Sequence, residues 1–329
     1  MPLSRILIVK LSSLGDVIHS LPVAGALRWR FPGAEISWLV GPASAGIVGI
    51  CRHVSRLLVW HPEKRPRLGL IAELRALRPQ VSLDMQGLFR TGILARLGGA
   101  RWRIGFRSPQ EGAFPLCNLP VVPSRTDIHA VDAYLGFARY LGADGSDADF
   151  GISVPAAVRE YAAQIIGAEG SAPVVALLPG TRWPTKKWPA RSFATLAGQL
   201  SNVGVRCIVL GSREDRDDGS AIAAAAPNAV LDLAGRTSLA ETAALMTGCA
   251  LVVANDSGPM HLAAALGVPV VALFGPTDPV RTGPYGRGHV VIEAPVPCVR
   301  CRRRRCGAGC MKCISPGRVL EAVRAMLGI

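Results

Sequence analysis

Three short strings in this chain combine residues that can move protons or hold anions. The first is Lys10-Leu11-Ser12-Ser13-Leu14-Gly15-Asp16-Val17-Ile18-His19-Ser20-Leu21-Pro22. Gly15 permits a tight turn, and Asp16 beside it can project a carboxylate into a cleft. Such a carboxylate can take the proton of an attacking hydroxyl, which is general-base work, or it can simply cap the helix that follows. The second is Pro179-Gly180-Thr181-Arg182-Trp183-Pro184-Thr185-Lys186-Lys187-Trp188-Pro189. Lysines held between two stiff Trp-Pro pairs can neutralise a departing diphosphate, although solvated surface lysines are commoner in general. The third is Asn255-Asp256-Ser257-Gly258-Pro259-Met260-His261. Asp or Ser before a first-turn proline marks a helix start, and the free N–H groups there attract anions. Capping explains Asp256 or Ser257 singly, and the whole string less readily. No Walker loop is present, and no G-x-G-x-x-G follows the first strand, which counts against an ATPase or a standard dinucleotide enzyme.

Each string directly follows a short apolar run rich in β-branched residues. One series of such runs covers Ile6–Lys10, Ile36–Val40, Leu57–Trp60, Val81–Met85 and Trp102–Phe106. A second covers Val174–Leu178, Val205–Leu210, Ala229–Leu233, Leu251–Asn255 and Val270–Phe274. Helical spacing marks Pro22–Arg30, Ala190–Leu200, Leu239–Thr247, His261–Leu266 and a closing amphipathic helix, Pro316–Leu327. Strands alternating with helices predict parallel sheets covered on both faces, here as two doubly wound α/β domains. The polar, turn-rich segment 142–172 predicts the boundary, giving domains 1–155 and 156–329. Ligands of such sheets bind beyond the C-terminal strand ends, where all three strings fall.

A length of 329 residues suits two domains, and 50% hydrophobic content allows large cores. No apolar run is long enough to span a membrane, and the opening one is too short for a signal peptide, so a cytoplasmic protein is expected. A formal charge of +14 suits an anionic partner or merely keeps the surface solvated. Cys51, Cys117, Cys207 and Cys249 sit in apolar surroundings and read as small buried hydrophobes. Cys298, Cys301, Cys306, Cys310 and Cys313 crowd together, with Arg302–Arg305 among them. In isolation their spacing fits zinc or an iron–sulfur centre.

Taken together, the three strings resemble the ADP-heptose:lipopolysaccharide heptosyltransferase family. The resemblance runs over nearly the whole chain. It includes Asp84-Met85-Gln86-Gly87-Leu88, His129-Ala130-Val131-Asp132 and the Lys-x-Trp-Pro of Lys186–Pro189, and its N-terminal string is nearer heptosyltransferase I than II. It implies the GT-B fold, two facing Rossmann-like domains with the last helix able to pack back on the first. It also implies an inverting, metal-independent transfer of heptose from ADP-heptose to the Kdo of Kdo-lipid A, by a monomer at the cytoplasmic face of the inner membrane. By the same resemblance Asp16 is the base. The donor is bound by Lys186, Thr181, Glu214 (facing the ribose), Asp256, Ser257 (in place of a more usual Thr), Gly258 and His261. The acceptor is bound by Ser13, Gly15, Lys64, Arg65, Arg67, Gln86 and Arg90, the last standing where relatives often have Lys.

Between Lys64 and Arg107 ten Lys or Arg face only Glu73 and Asp84, and such a face would attract carboxylates, phosphates and an anionic membrane surface. No cofactor is required, and a metal at the five cysteines would be structural. Three competing readings remain: a later-acting lipopolysaccharide-core transferase such as a heptosyltransferase II, a GT-B nucleotide-sugar epimerase, and a nucleic-acid module built on the Cys/Arg loop. The last leaves Asp16 and the Asp256 string without a role.

Overall fold

The computed structural model describes residues 3–61, 68–106, 116–119, 127–143, 148–167, 172–307 and 309–329. The chain divides into two compact units between Ser153 and Val154. The first contains β1 (Arg5–Val9), α1 (Leu14–Arg30), β2 (Glu35–Val40), α2 (Pro42–Gly49), β3 (Arg56–Val59), α3 (Leu68–Ala76), β4 (Val81–Asp84), α4 (Phe89–Leu97), β5 (Trp102–Gly105) and α5 (Ala130–Tyr140). Its sheet runs β3-β2-β1-β4-β5 with every pairing parallel, Ile8 standing opposite Trp38 on one side and Leu83 on the other.

The second unit begins with α6 (Ala156–Ile166), β6 (Val174–Leu178), α7 (Ala190–Ser201), β7 (Arg206–Val209), α8 (Arg216–Ala225) and β8 (Val230–Asp232). It continues with α9 (Leu239–Thr247), β9 (Leu251–Asn255), α10 (Gly258–Ala265), β10 (Val270–Phe274), α11 (Pro279–Thr282), β11 (Val290–Glu293) and α12 (Pro316–Leu327). Its sheet is β11-β10-β9-β6-β7-β8, again wholly parallel. β6, β9 and β10 are buried at every residue, as strands covered on both faces must be. Each unit thus repeats the Rossmann strand order. In each, that order reverses beside a central pair, β1 with β4 and β6 with β9, and the crevice at that reversal is where such sheets bind ligands.

Three elements differ from the sequence expectation. α1 starts at Leu14 and carries Pro22 inside it, where the expectation had Pro22 open the helix. An internal proline costs about 3 kcal/mol, and here the continuous buried run from Val17 to Leu27, packed on α5 and α2, outweighs that cost. α10 likewise starts at Gly258, three residues before His261, with Pro259 in its first turn. The edge strand β11 was not expected, because it is short, only partly buried and preceded by a Gly-rich stretch. The closing helix α12 packs on α7, β9 and β10 of its own unit.

Candidate functional site

In the first unit the chain leaving β1 meets the chain leaving β4. Gln86 Oε1 accepts hydrogen bonds from the backbone N–H groups of Leu11 at 2.9 Å and Ser12 at 3.1 Å. The side chain expected at the acceptor therefore spends its oxygen on holding the loop that carries Asp16. That loop turns into α1 at Ser13, whose backbone N–H and hydroxyl donate to Asp16 Oδ2 at 3.2 and 2.7 Å. Asp16 thus does cap the helix, but both bonds fall on one oxygen. Among the described residues Oδ1 accepts none, so capping orients the carboxylate without consuming it.

Burial pushes the Asp16 pKa up, but the charge of Lys10, the Ser13 hydroxyl and His19 outweigh it and hold the group below the usual carboxylate value. Lys10 is 4% exposed and donates to the Met85 carbonyl at 3.2 Å. Its Nζ lies 4.9 Å from the centroid of the Tyr134 ring. Burial acts to lower the Lys10 pKa, yet Tyr134 and Asp16 more than offset this, so Lys10 remains a cation. Sequence reading did not assign Lys10 a role. The usable signal was a lysine immediately after four buried apolar residues, a position that demands a partner for its charge.

Asp84, also beyond solvent, accepts from the N–H groups of Gln86 and Gly87, each at 3.1 Å, and from the Thr91 hydroxyl at 2.9 Å. Burial raises its pKa to about 6 despite these bonds. Gly87 has φ +72°, so the turn that presents Gln86 needs a glycine. Arg90 stacks over the Trp60 ring at 5.7 Å. Lys64, Arg65, Arg67 and Arg107 lie outside the described residues. Arg75 and Arg103 donate to the carbonyls of Leu97 and Leu116, so part of the basic stretch braces the backbone.

In the second unit Asn255 joins the string that follows β6 to the string that follows β9. Its Nδ2 donates to Pro179 O at 2.8 Å and its Oδ1 accepts from Trp188 N at 3.0 Å, which fixes both ends of the segment 179–188. Trp188 is fully buried, with Nε1 bonded to Ile314 O at 2.9 Å and its ring edge-on to Phe193. The loop between these anchors makes one 3-10 turn, Pro184–Lys186, and splits its two lysines. Lys186 Nζ lies 2.7 Å from Asp256 Oδ2, whereas Lys187 pairs with Asp218. Asp256 Oδ2 also accepts from the Thr277 hydroxyl at 2.6 Å, and Oδ1 stands 3.9 Å from His261 Nε2. Thr181 donates to the Asp256 carbonyl at 3.1 Å. Thr277, in the loop after β10, was not singled out in the sequence, since a lone Thr in a Gly-Pro-Thr-Asp turn has an ordinary turn explanation.

Ser257 is the N-cap of α10, with Gly258 as the first helical residue, yet its hydroxyl makes no capping bond and is buried without a hydrogen-bond partner among the described residues. Buried hydroxyls are normally satisfied. This one sits at a helix N-terminus with Lys186 nearby through Asp256, an arrangement that fits an anion. Glu214 is exposed. Its neighbour Asp215 packs between Gly180 and Gly211, where an added Cβ would meet its carboxylate, and it accepts from the Ser212 N–H and hydroxyl, both at 2.7 Å.

Cys298, Cys301, Cys306 and Cys313 are exposed and Cys310 is half-buried. Among the described residues no three His, Cys, Asp or Glu come together as a metal-holding group, so the cysteines as arranged do not fit the zinc or iron–sulfur centre their spacing suggested. Among those residues, too, no helix is long and apolar enough to cross a membrane.

Residues 67–312 match the family profile described as Glycosyltransferase family 9 (heptosyltransferase). The chain is 32% identical over 323 positions to lipopolysaccharide heptosyltransferase 1 of Pseudomonas aeruginosa, covering 92% of this chain and 87% of that one. It is 27% identical to lipopolysaccharide heptosyltransferase 2 of Escherichia coli K12, with 98% of both chains covered. The solved structure of E. coli ADP-heptose lps heptosyltransferase II matches with a TM-score of 0.82 at 26% identity, over 98% of both chains.

Proposed function

The chain belongs to glycosyltransferase family 9, the heptosyltransferases, and on that premise we propose that it moves L-glycero-D-manno-heptose from ADP-heptose to the Kdo of Kdo-lipid A. The observation that carries the donor half is the unsatisfied Ser257 hydroxyl at the start of α10, beside a lysine oriented by Asp256 and Thr277. In this reading Lys186, the Ser257 hydroxyl and the first N–H groups of α10 receive the ADP diphosphate. Gly258 lets the backbone approach it, Thr181 and His261 brace Asp256, and Glu214 faces the ribose.

Asp16 takes the proton from the acceptor hydroxyl as that oxygen bonds to the anomeric carbon. The bond from that carbon to the diphosphate oxygen breaks in the same displacement, and the configuration inverts. Negative charge then develops on the departing ADP, where Lys186 and the dipole of α10 meet it. No cofactor is called for. Ser13 and Gln86 shape the acceptor side through the Asp16 loop, Gly15 turns that loop, and Lys64, Arg65, Arg67 and Arg90 supply cations for Kdo carboxylate and lipid A phosphates. The protein works as a monomer held peripherally at the cytoplasmic face of the inner membrane. The likeness to a lipopolysaccharide heptosyltransferase 1 supports a heptosyltransferase I-like role over a later-acting one.

Incubating purified protein with ADP-heptose and Kdo-lipid A should give a product heavier by one heptose. Gain of mass only on an acceptor that already carries heptose would reassign it as a later-acting transferase. Conversion of the donor without any acceptor would mark an epimerase.

A further inference from the structure

Arg302–Arg305 remain outside the transfer chemistry, and the structure gives them a setting. A cavity of about 350 Å³ is walled by Lys187, Arg304, Arg305 and Lys312, with Thr185 on one side and the buried Met311 among its lining. Among the described residues no Asp or Glu lines it. Among the described residues Lys187 alone of the four cations has a carboxylate partner, Asp218. Like charges gathered around one concavity repel each other unless an anion enters, so the free pocket is electrostatically incomplete.

The wall is built rather than loose. The Thr185 hydroxyl donates to Arg303 O at 2.8 Å, which ties the arginine run to the loop carrying Lys186. The Trp183 ring takes Lys186 Nζ at 4.6 Å and the Arg304 guanidinium at 4.7 Å from its centroid. The Arg300 and Arg302 N–H groups bond to Gly275 O at 2.8 Å and Pro276 O at 2.6 Å, with both arginines at left-handed φ, +64° and +57°. Non-glycine residues in that region are strained and persist only where the surroundings hold them.

We propose that this pocket is a second anion site, separate from the one at Lys186 and Ser257, and that it takes a phosphomonoester borne on a larger group. Lys186 turns toward Asp256 while Lys187 turns into the wall, so adjacent lysines serve two different anions. A terminal phosphate carries close to two negative charges, which matches the three unpaired cations better than a carboxylate would. The volume exceeds that of a phosphate alone, and Met311 offers an apolar contact to the group that bears it. This goes beyond the transfer reading and does not depend on it.

The test uses the full chain, with ADP at saturation so that the donor site is filled. Binding of inorganic phosphate is titrated calorimetrically to the wild type, to the triple variant Arg304→Ala/Arg305→Ala/Lys312→Ala, and to a control, Arg56→Ala/Arg159→Ala/Arg287→Ala, that loses the same charge from exposed positions elsewhere. The pocket variant should bind phosphate at least about tenfold more weakly, as expected for loss of charge-assisted hydrogen bonds. The control and Arg304→Lys/Arg305→Lys should stay near wild type, and ADP affinity should be unchanged throughout. Flotation with phosphatidylcholine vesicles, with and without phosphatidic acid, separates the sources. Capture of the wild type but not the pocket variant by phosphatidic acid indicates a lipid-borne phosphate, and phosphate binding without capture indicates a soluble one. Equal phosphate binding by pocket variant and control would overturn the proposal, as would no binding to the wild type in either arm. A parallel loss of ADP affinity would merge the pocket with the donor site and also end it. Failure of ADP to bind the wild type would instead count against the transfer reading.

Discussion

Asp16→Asn should lower transfer by about 10²- to 10⁴-fold, the usual contribution of a positioned general base, while ADP affinity stays within about twofold of wild type. The amide keeps the shape and can still accept from Ser13, so the cap on α1 survives and folding is not the explanation for the loss. What disappears is the basic oxygen. Because the charge of Lys10 and the bonds from Ser13 overcome burial, the carboxyl is depressed below its ordinary value. Its folded-state pKa lies under the unfolded one, so the ionised, competent form is present at all pH above the normal carboxylate range. It is lost only as pH falls through that depressed value. The wild-type rate should therefore show no acid limb from Asp16 between pH 5 and pH 8. Kinetics and ADP calorimetry on the same preparation check both halves, and a variant with near-normal turnover would remove Asp16 from the mechanism.

Lys186→Ala should be nearly as damaging, by a different route. Loss of one preorganised charge at a developing anion costs about 10²- to 10³-fold in kcat. Here a second effect adds to it. Asp256 is 4% exposed, and among the described residues its carboxylate would keep the Thr277 hydroxyl and a histidine at 3.9 Å. A buried carboxylate without its cation then stands beside the diphosphate and repels it, so ADP affinity should fall together with kcat. Adding Asp256→Ala to Lys186→Ala removes that repulsion, and the double variant should bind ADP more tightly than the single one. Weaker binding by the double variant would show that Asp256 contacts the nucleotide favourably. Lys187→Ala, whose partner is Asp218, should leave ADP affinity near wild type.

The contrast between Lys186 and Lys187 shows what the sequence could and could not disclose. Alternating strand and helix patterns exposed both doubly wound units, because parallel strands buried on two faces are continuous apolar runs. That pattern also located the strings, since a strand end is visible wherever such a run stops at Gly, Ser or Asp. It could not tell one lysine from its neighbour, which depends on a single 3-10 turn between Trp183 and Trp188. Nor could it show that Asp16 is both cap and candidate base, because that turns on which oxygen Ser13 occupies. Gln86 was legible as a polar residue beyond a strand, but its backbone partners, Leu11 and Ser12, are 75 and 74 positions away. Thr277 acts through Asp256, 21 positions away, so nothing local marked it, whereas Lys10 carried a local signal, a charge placed directly after four buried apolar residues. The cysteine spacing pointed the other way, toward a metal centre for which the described residues of the folded loop do not gather a ligand set.

The central claim is a single displacement, with Asp16 as proton acceptor and the Lys186 pocket receiving the departing diphosphate. The anomeric configuration of the product heptoside, read by NMR coupling constants against the donor, tests it most directly. Inversion is the predicted result. Retention would require two displacements and a covalent or ion-paired intermediate, and would contradict Asp16 acting only as a base.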